Sequence, residues 1–455
     1  MGNAAGFLVL TSLSLPVRAL FRTLLLSKNL RQAIYWLLAA EAALFTFMRN
    51  EFGYYGSPVL LYGVGVVACC TIYHYTRHRA WCLPLATAGP QPWKSIVLAA
   101  MLGVWLCVGK LAEVIHNYPV QIASSDIIPA LSIYTKRFLN HELVYTPFTN
   151  ELGYFSLPTY LPATWFPYLL PEWLRFDYRW MGSLLLLLGI GGYLVVLARL
   201  RKPGGHTFLL AFLPFAFTYA IIRTDAPIFG FTVESMVAGY YFLLVAGILL
   251  RSWPLQVLAL LLCLLSRFSL VFWLPLYLLL VFFQDKRQRA VMLVGTLGIG
   301  ILLLYVIPFM SQDWGMFMRV QAAYTDVAVN EWRHLNEQGL PYHLYNGVGF
   351  GNFFYRFISG ELVDRIRLLK TVHVALLLLI TAGSGWLYWR QRTPRSNYQI
   401  HAVLTLKLYL ITFYAFLQVP YSYLAAVGIL LSLFLLLLVA GTTSATEEYS
   451  HKVVH

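Results

Sequence analysis

The stretch "SSDIIPALSIYTKRFLNHELVYTPF", Ser124 to Phe148, sets an acid and several bases between two strongly apolar runs. Asp126 comes first. Lys136 and Arg137 follow about three helical turns later, and His141 and Glu142 close the set. A placed carboxylate can take a proton, and neighbouring cations can hold an anion through charge-assisted hydrogen bonds. The same residues have plainer uses. "SSD" reads as a helix start, with Ser124 or Ser125 as the cap and Asp126 near the positive helix end. Lys136 and Arg137 read equally well as a pair facing water or lipid headgroups.

Further candidates lie elsewhere. Arg267 stands between the apolar runs "LLLCLLS" and "FSLVFWL", where an arginine is costly unless it is paired, faces a polar cavity or snorkels to the interface. Arg223 and Asp225 share the tight turn "IIRTDAPIFG" and are placed to pair with each other. Glu234 sits deeper, inside a span, as a buried hydrogen-bond partner or a polar group near a site. In a second polar stretch, Asp326, Glu331, His334, Tyr342 and His343 could line a pocket or simply belong to a cap. His334 and His343 are too loosely arranged for a metal site, so no metal or cofactor is assigned. "NGVGFGN" follows no strand and opens no βαβ unit, which argues against a nucleotide site. The five cysteines form no C-x-x-C pair and read as small apolar residues.

The elements that must carry these residues are helices in a membrane. The 455-residue chain is 59% hydrophobic and 11% charged, against about 25% charged in soluble domains. Long apolar runs recur from end to end, so the expected fold is all-α, a polytopic helical bundle. Spans are expected near 33–50, 55–75, 94–115, 180–199, 206–222, 228–250, 252–267, 268–284, 290–310, 368–389, 400–417 and 419–440, about twelve in all. With the N-terminus in the cytoplasm, the short basic loops "YTRHRAW", "RLRKPGGH", "QDKRQRA" and "WRQRTPRSN" all fall inside, as the positive-inside bias requires. The net charge of +14 is therefore largely topological and does not call for nucleic acid. Residues 1–32 read as a cytoplasmic or interfacial segment. Within it, 7–26 form an amphipathic helix carrying Arg18 and Arg22 on one face. Residues 33–440 form the membrane domain and 441–455 a cytoplasmic tail. Two long loops, about 116–179 and 311–367, fall on the extracytoplasmic side. The first is dense in proline and aromatic residues, among them Trp165, Tyr168, Trp173, Tyr178 and Trp180, which suits short helices lying along the bilayer surface.

Asp126 followed by "IYTKRFLNHELVYTPF" resembles the acidic first-loop motif of integral-membrane glycosyltransferases of the GT-C fold. The closest similarity is to bacterial transferases that use polyprenyl-phosphate sugars, including the mannosyltransferases of phosphatidylinositol mannoside synthesis. "RTDAPIFGFTVE" at 223–234 and "LLSRFSLVFWLPLYLLL" at 264–280 resemble further segments of that group. That group's acid often follows the first span, whereas here it follows the third. The resemblance implies a protein of the bacterial inner (plasma) membrane with both termini cytoplasmic. Its site would be extracytoplasmic, with a polyprenyl-phosphate-linked sugar as donor and a hydroxyl of a glycan, lipid or protein as acceptor. Asp126 would be the general base. Lys136, Arg137, Arg267 and Arg223 would be candidates to stabilise the leaving phosphate. Asp225, Glu234, Glu142, Tyr145, His334, Tyr342 and His343 would be candidates for the pocket.

Two other function classes fit the same composition. Interrupted spans and intramembrane charge suit a secondary transporter or flippase for a lipid-linked or small polar substrate, although no internal repeat accompanies them. A non-catalytic membrane subunit of an envelope assembly complex would leave the acid cluster incidental.

Overall fold

The computed structural model describes residues 30–77, 80–81, 92–122, 124–149, 155–200, 202–346, 348–391 and 397–443. The expected amphipathic helix at 7–26 and nearly all of the tail lie outside the described residues. The fold is all-α. The principal helices are α1 (Leu30–Thr46), α2 (Gly53–Thr76), α3 (Trp93–Asn117), α4 (Ile127–Leu139), α5 (Tyr178–Arg199), α6 (Gly204–Thr224), α7 (Glu234–Leu249) and α8 (Trp253–Leu264). They continue with α9 (Leu274–Gln284), α10 (Arg287–Ile301), α11 (Trp314–Arg333), α12 (Leu362–Gln391), α13 (Tyr398–Ala415), α14 (Ala425–Leu430) and α15 (Ser432–Gly441). Strand is confined, among the described residues, to two short antiparallel pairings, Ala80–Trp81 with Thr442–Thr443 and Phe148–Thr149 with Phe155–Ser156.

Each of the twelve apolar stretches folds as helix, but seven of these helices are long and apolar enough to cross a membrane. They are α2, α3, α5, α6, α10 with its continuation to Val306, α12, and the run Ser422–Gly441. This makes the chain an integral membrane protein. The difference from twelve has a physical cause. A straight crossing takes about 20 residues. Of the five that fall short, α1, α7, α8 and α9 have 17, 16, 12 and 11, and α13, with 18, carries the polar Gln399, His401 and Lys407. The apolar run 252–284 is broken by a turn at Arg267 and a short 3₁₀ turn at Phe268–Leu270.

α7 is the axis of the bundle. Every residue in it except Leu243 is buried, as expected of a helix that is apolar all round. It packs on α5 at a glycine crossing, where a Cβ on Gly239 would overlap the Leu185 carbonyl and one on Gly189 would overlap Gly239. Small residues let the two backbones approach closely. Glu234 opens this helix and so begins at its buried tip rather than midway along it.

The two long connections are folded structures. The first holds α4, the two-residue hairpin, and short helices at Pro162–Trp165 and Leu169–Leu174. The second holds α11 and short helices at Tyr342–Tyr345 and Gly351–Phe357. It has its own apolar core of Val329, Trp332, Leu344, Tyr345, Ile366 and Leu369, with Tyr55, Phe416 and Val419 packed against it.

Candidate functional site

α4 starts at the "SSD" sequence, and the duties there are divided. Ser125 Oγ accepts the Ile127 N–H at 3.3 Å and donates to the Phe231 carbonyl at 3.0 Å. Ser125 thereby caps the helix and ties it to the segment before α7. The Asp126 side chain makes no cap bond. Its carboxylate is exposed and takes part in none of the ion pairs among the described residues. Its charge acts on three hydroxyls, those of Tyr160, Tyr421 and Tyr423. Burial first, and Asp126 second, push the Tyr160 hydroxyl well above its ordinary pKa.

Arg267 approaches the same hydroxyls from the bundle. It stands in the turn after α8, just before the 3₁₀ turn Phe268–Leu270, and its Nη2 donates to Glu234 Oε1. The Glu234 side chain is fully buried, while that of Arg267 remains 25% exposed. Its charge reaches Tyr160, Tyr324, Tyr414 and Tyr423. Of the three expected readings of Arg267, the structure shows the paired one. Glu234 is its anchor, although its Oε2 has no hydrogen-bond partner among the described residues. An arginine gripped on one side and open on the other can present its remaining N–H groups to an anion.

A cavity of about 300 Å³ lies nearby, lined by neighbours of both groups rather than by Asp126 or Arg267 themselves. Tyr160, whose hydroxyl feels Asp126, lines it, and so does Phe268, the neighbour of Arg267. Tyr145, Leu161, Phe309 and Phe317 give it an apolar surface, and Arg319 and Asp313 stand at its polar side. Arg319 and Asp313 are ion-paired. Tyr305 and Phe309 bring the cavity to the end of the α10 span, where the backbone takes a π turn over Leu302–Val306. Leu302, Leu303 and Ile307 are exposed there, on a helix suited to lipid.

The second connection closes the site from another side. His343 Nε2 lies 3.5 Å from Glu331 Oε2, and the His343 ring meets Tyr421 edge-on at 4.8 Å and Tyr342 at 4.9 Å. Tyr421 stacks on Tyr423 at 5.2 Å. Burial lowers the His343 pKa below its ordinary value; Glu331 opposes the shift and His334 adds to it. His334 itself is exposed at the end of α11. Among the described residues, no three His, Cys, Asp or Glu side chains gather as a metal site.

Other candidates have different duties. Arg137 donates to the Thr146 carbonyl at 2.6 Å and the Val144 carbonyl at 3.4 Å, and lies over the Phe148 ring. It shapes the loop that forms one cavity wall. His141 takes a left-handed φ of 58° to end α4, and the Glu142 N–H returns to the Arg137 carbonyl at 2.8 Å. Glu142 is exposed, and its Oε1 accepts from Asn140. Lys136 is exposed at the far end of α4, about 15 Å from Asp126 at 1.5 Å per residue. Tyr145 lines the cavity, as expected of a pocket residue, and is held in place there: it donates to the Tyr160 carbonyl and accepts from the Trp165 indole, both at 3.0 Å. Arg223 and Asp225 do not pair. Asp225 is bound at 2.5 Å by Arg49 from the α1–α2 connection, and Arg223 is exposed, with no ion pair among the described residues.

Sequence reasoning left Tyr160, Tyr421 and Tyr423 without roles. Their only local signals are the proline-flanked tyrosines of "SLPTYLP" and "LQVPYSYL". Compared with known proteins, the chain matches no family model, no curated protein and no solved structure, so the case for its chemistry rests on this geometry and on the resemblance of the Asp126 segment.

Proposed function

We propose that the protein is a GT-C-like glycosyltransferase that moves a sugar from a polyprenyl-phosphate donor to an acceptor hydroxyl at the outer face of the membrane. One observation carries the reading. The Asp126 carboxylate is freed from capping by Ser125 and acts on the same Tyr160 and Tyr423 hydroxyls as Arg267, beside a cavity that reaches a lipid-facing helix end. The acceptor oxygen attacks the anomeric carbon, and its proton passes to Asp126. The bond from that carbon to the phosphate oxygen breaks, and the lipid phosphate leaves with the electron pair. Arg267 stabilises the charge that grows on the phosphate. The apolar lining of the cavity suits the first part of a prenyl chain. Glu331 and His343 lie on the acceptor side. Arg137 holds the cavity wall rather than the phosphate.

The test uses purified protein with a panel of polyprenyl-phosphate sugars and acceptors. Mass spectrometry follows the gain of one sugar and the release of lipid phosphate. Asp126→Asn is expected to lose about 10²-fold or more in turnover, the contribution typical of a positioned base. Its melting temperature and donor affinity should stay near wild type, because Ser125 carries the cap. Turnover close to wild type would remove Asp126 from the chemistry.

The discontinuous pair α8–α9 favours a second reading, transport or flipping of a lipid-linked substrate. Movement of the donor across proteoliposomes with no covalent product would select it.

A further inference from the structure

The centre of the bundle holds a second buried ion pair, away from the cavity. Lys407 on α13 and Glu41 on α1 are 0% and 1% exposed at their side chains, and Lys407 Nζ lies 2.6 Å from Glu41 Oε1. Lys407 also donates to the Gly428 carbonyl at 2.8 Å, and Ser432 Oγ donates to Glu41 Oε2 at 2.5 Å. Both carboxylate oxygens are thus satisfied. Charges inside a membrane protein are costly, face the bundle interior, and mark a function by default.

The contacts show where this pair acts. Gly428 and Ser432 lie one turn apart on the last span, on either side of Leu431, whose backbone stays helical. Lys407 grips the span at Gly428, and Glu41 grips it one turn later at Ser432. The same run begins with Tyr423, about 7–8 Å of helix above Gly428, and Tyr421 lies just ahead. A cavity of about 30 Å³ beside the pair is lined by Glu41, Tyr62, Tyr414 and Ala425, the first residue of α14. Tyr414 in turn faces the charges of Arg267 and Glu234.

We infer that Glu41 and Lys407 are positioning residues: they pin the last span and so hold the stacked Tyr421 and Tyr423 against His343, on the acceptor side of the site. This rests on the transferase reading above. The pair touches neither donor nor acceptor. It acts through the stacked tyrosines, so it governs how substrate is held.

A double variant isolates that role. Glu41→Leu with Lys407→Leu removes both charges together and leaves no uncompensated partner; such apolar replacements are often neutral or stabilising. The double variant is expected to keep its melting temperature. It should raise KM about 10-fold with a smaller change in kcat. A cysteine replacing Tyr423 should react several-fold faster with an impermeant maleimide in this background than in the wild-type background. Wild-type KM together with wild-type labelling would overturn the inference and leave the pair a source of stability alone. Should the double variant fail to accumulate, Ser432→Ala removes one grip without stranding a full charge, and the same two readouts apply. The labelling arm needs no turnover. An absence of sugar transfer by the wild type would therefore count against the transferase and not against the lock.

Discussion

Arg267 shows how one side chain can confuse two roles. Arg267→Ala strands Glu234 as an unpaired carboxylate in a buried position, which typically costs about 3–5 kcal/mol. A loss of activity in that variant would then report folding. Arg267→Lys keeps the charge but loses the planar set of donors that suits a phosphate. It is expected to stay folded and to raise the donor KM about 10-fold. Glu234→Gln combined with Arg267→Ala removes the stranded charge and should restore the melting temperature without restoring donor use. Donor titration and thermal melting of the lysine variant and the double variant decide the matter. Wild-type donor affinity in a folded double variant would reduce Arg267 to the partner of Glu234. Asp126 lacks this entanglement, because its neighbour Ser125 makes the structural bonds.

At the scale of elements, the junction between the first connection and α5 is held by charge. Asp177 caps α5 and binds Arg179 through both carboxylate oxygens, at 2.8 and 2.6 Å. Arg179 also donates to the carbonyls of Ile115 and Tyr118 at the end of α3. Burial works to raise the Asp177 carboxyl, but its bonds to Arg179 and the nearby charge outweigh this and hold it below the ordinary value of 3.8. A depressed carboxyl contributes stability that is complete above the unfolded value and is lost as pH falls through the folded one. The melting temperature of Asp177→Asn should therefore lie below that of wild type at pH 7. The gap should close as the pH drops below about 4. A gap that stays constant with pH would show that the carboxylate's charge is not what holds this junction. These elements were unequally legible. "SSD" and the apolar pattern after it mark α4 well, because capping and periodicity are local. The run 252–284 misleads, because hydropathy registers its apolar content and not the turn that brings Arg267 to Glu234, 33 residues back in the chain. Asp225 misleads in the same way, since Arg49 lies 176 residues away. Tyr421 and Tyr423 meet the Asp126 segment only through tertiary folding, and no local pattern could assign them.

For the whole molecule, the division of cations between loops and twelve crossings together predict one orientation, with both long connections on the outer face, whereas the seven longest helices crossing alone would put the two connections on opposite faces. Cysteines at Ser124, Glu337 and Gln288 test it, because all three positions are exposed. Those at 124 and 337 should react with an impermeant maleimide applied to intact cells, and the one at 288 only after lysis. Reaction of all three from the same side would remove the first connection from any outer-face chemistry. The split between Ser125 and Asp126 also reaches beyond the single molecule. Cells clear proteins according to how often they unfold, and a change that spares stability escapes that triage. A chain altered only at Asp126 would be made, inserted and retained in full amount, and would still take up donor. It would compete with its active siblings for a scarce lipid-borne substrate, so in a mixed population the silent copy would act as a poison.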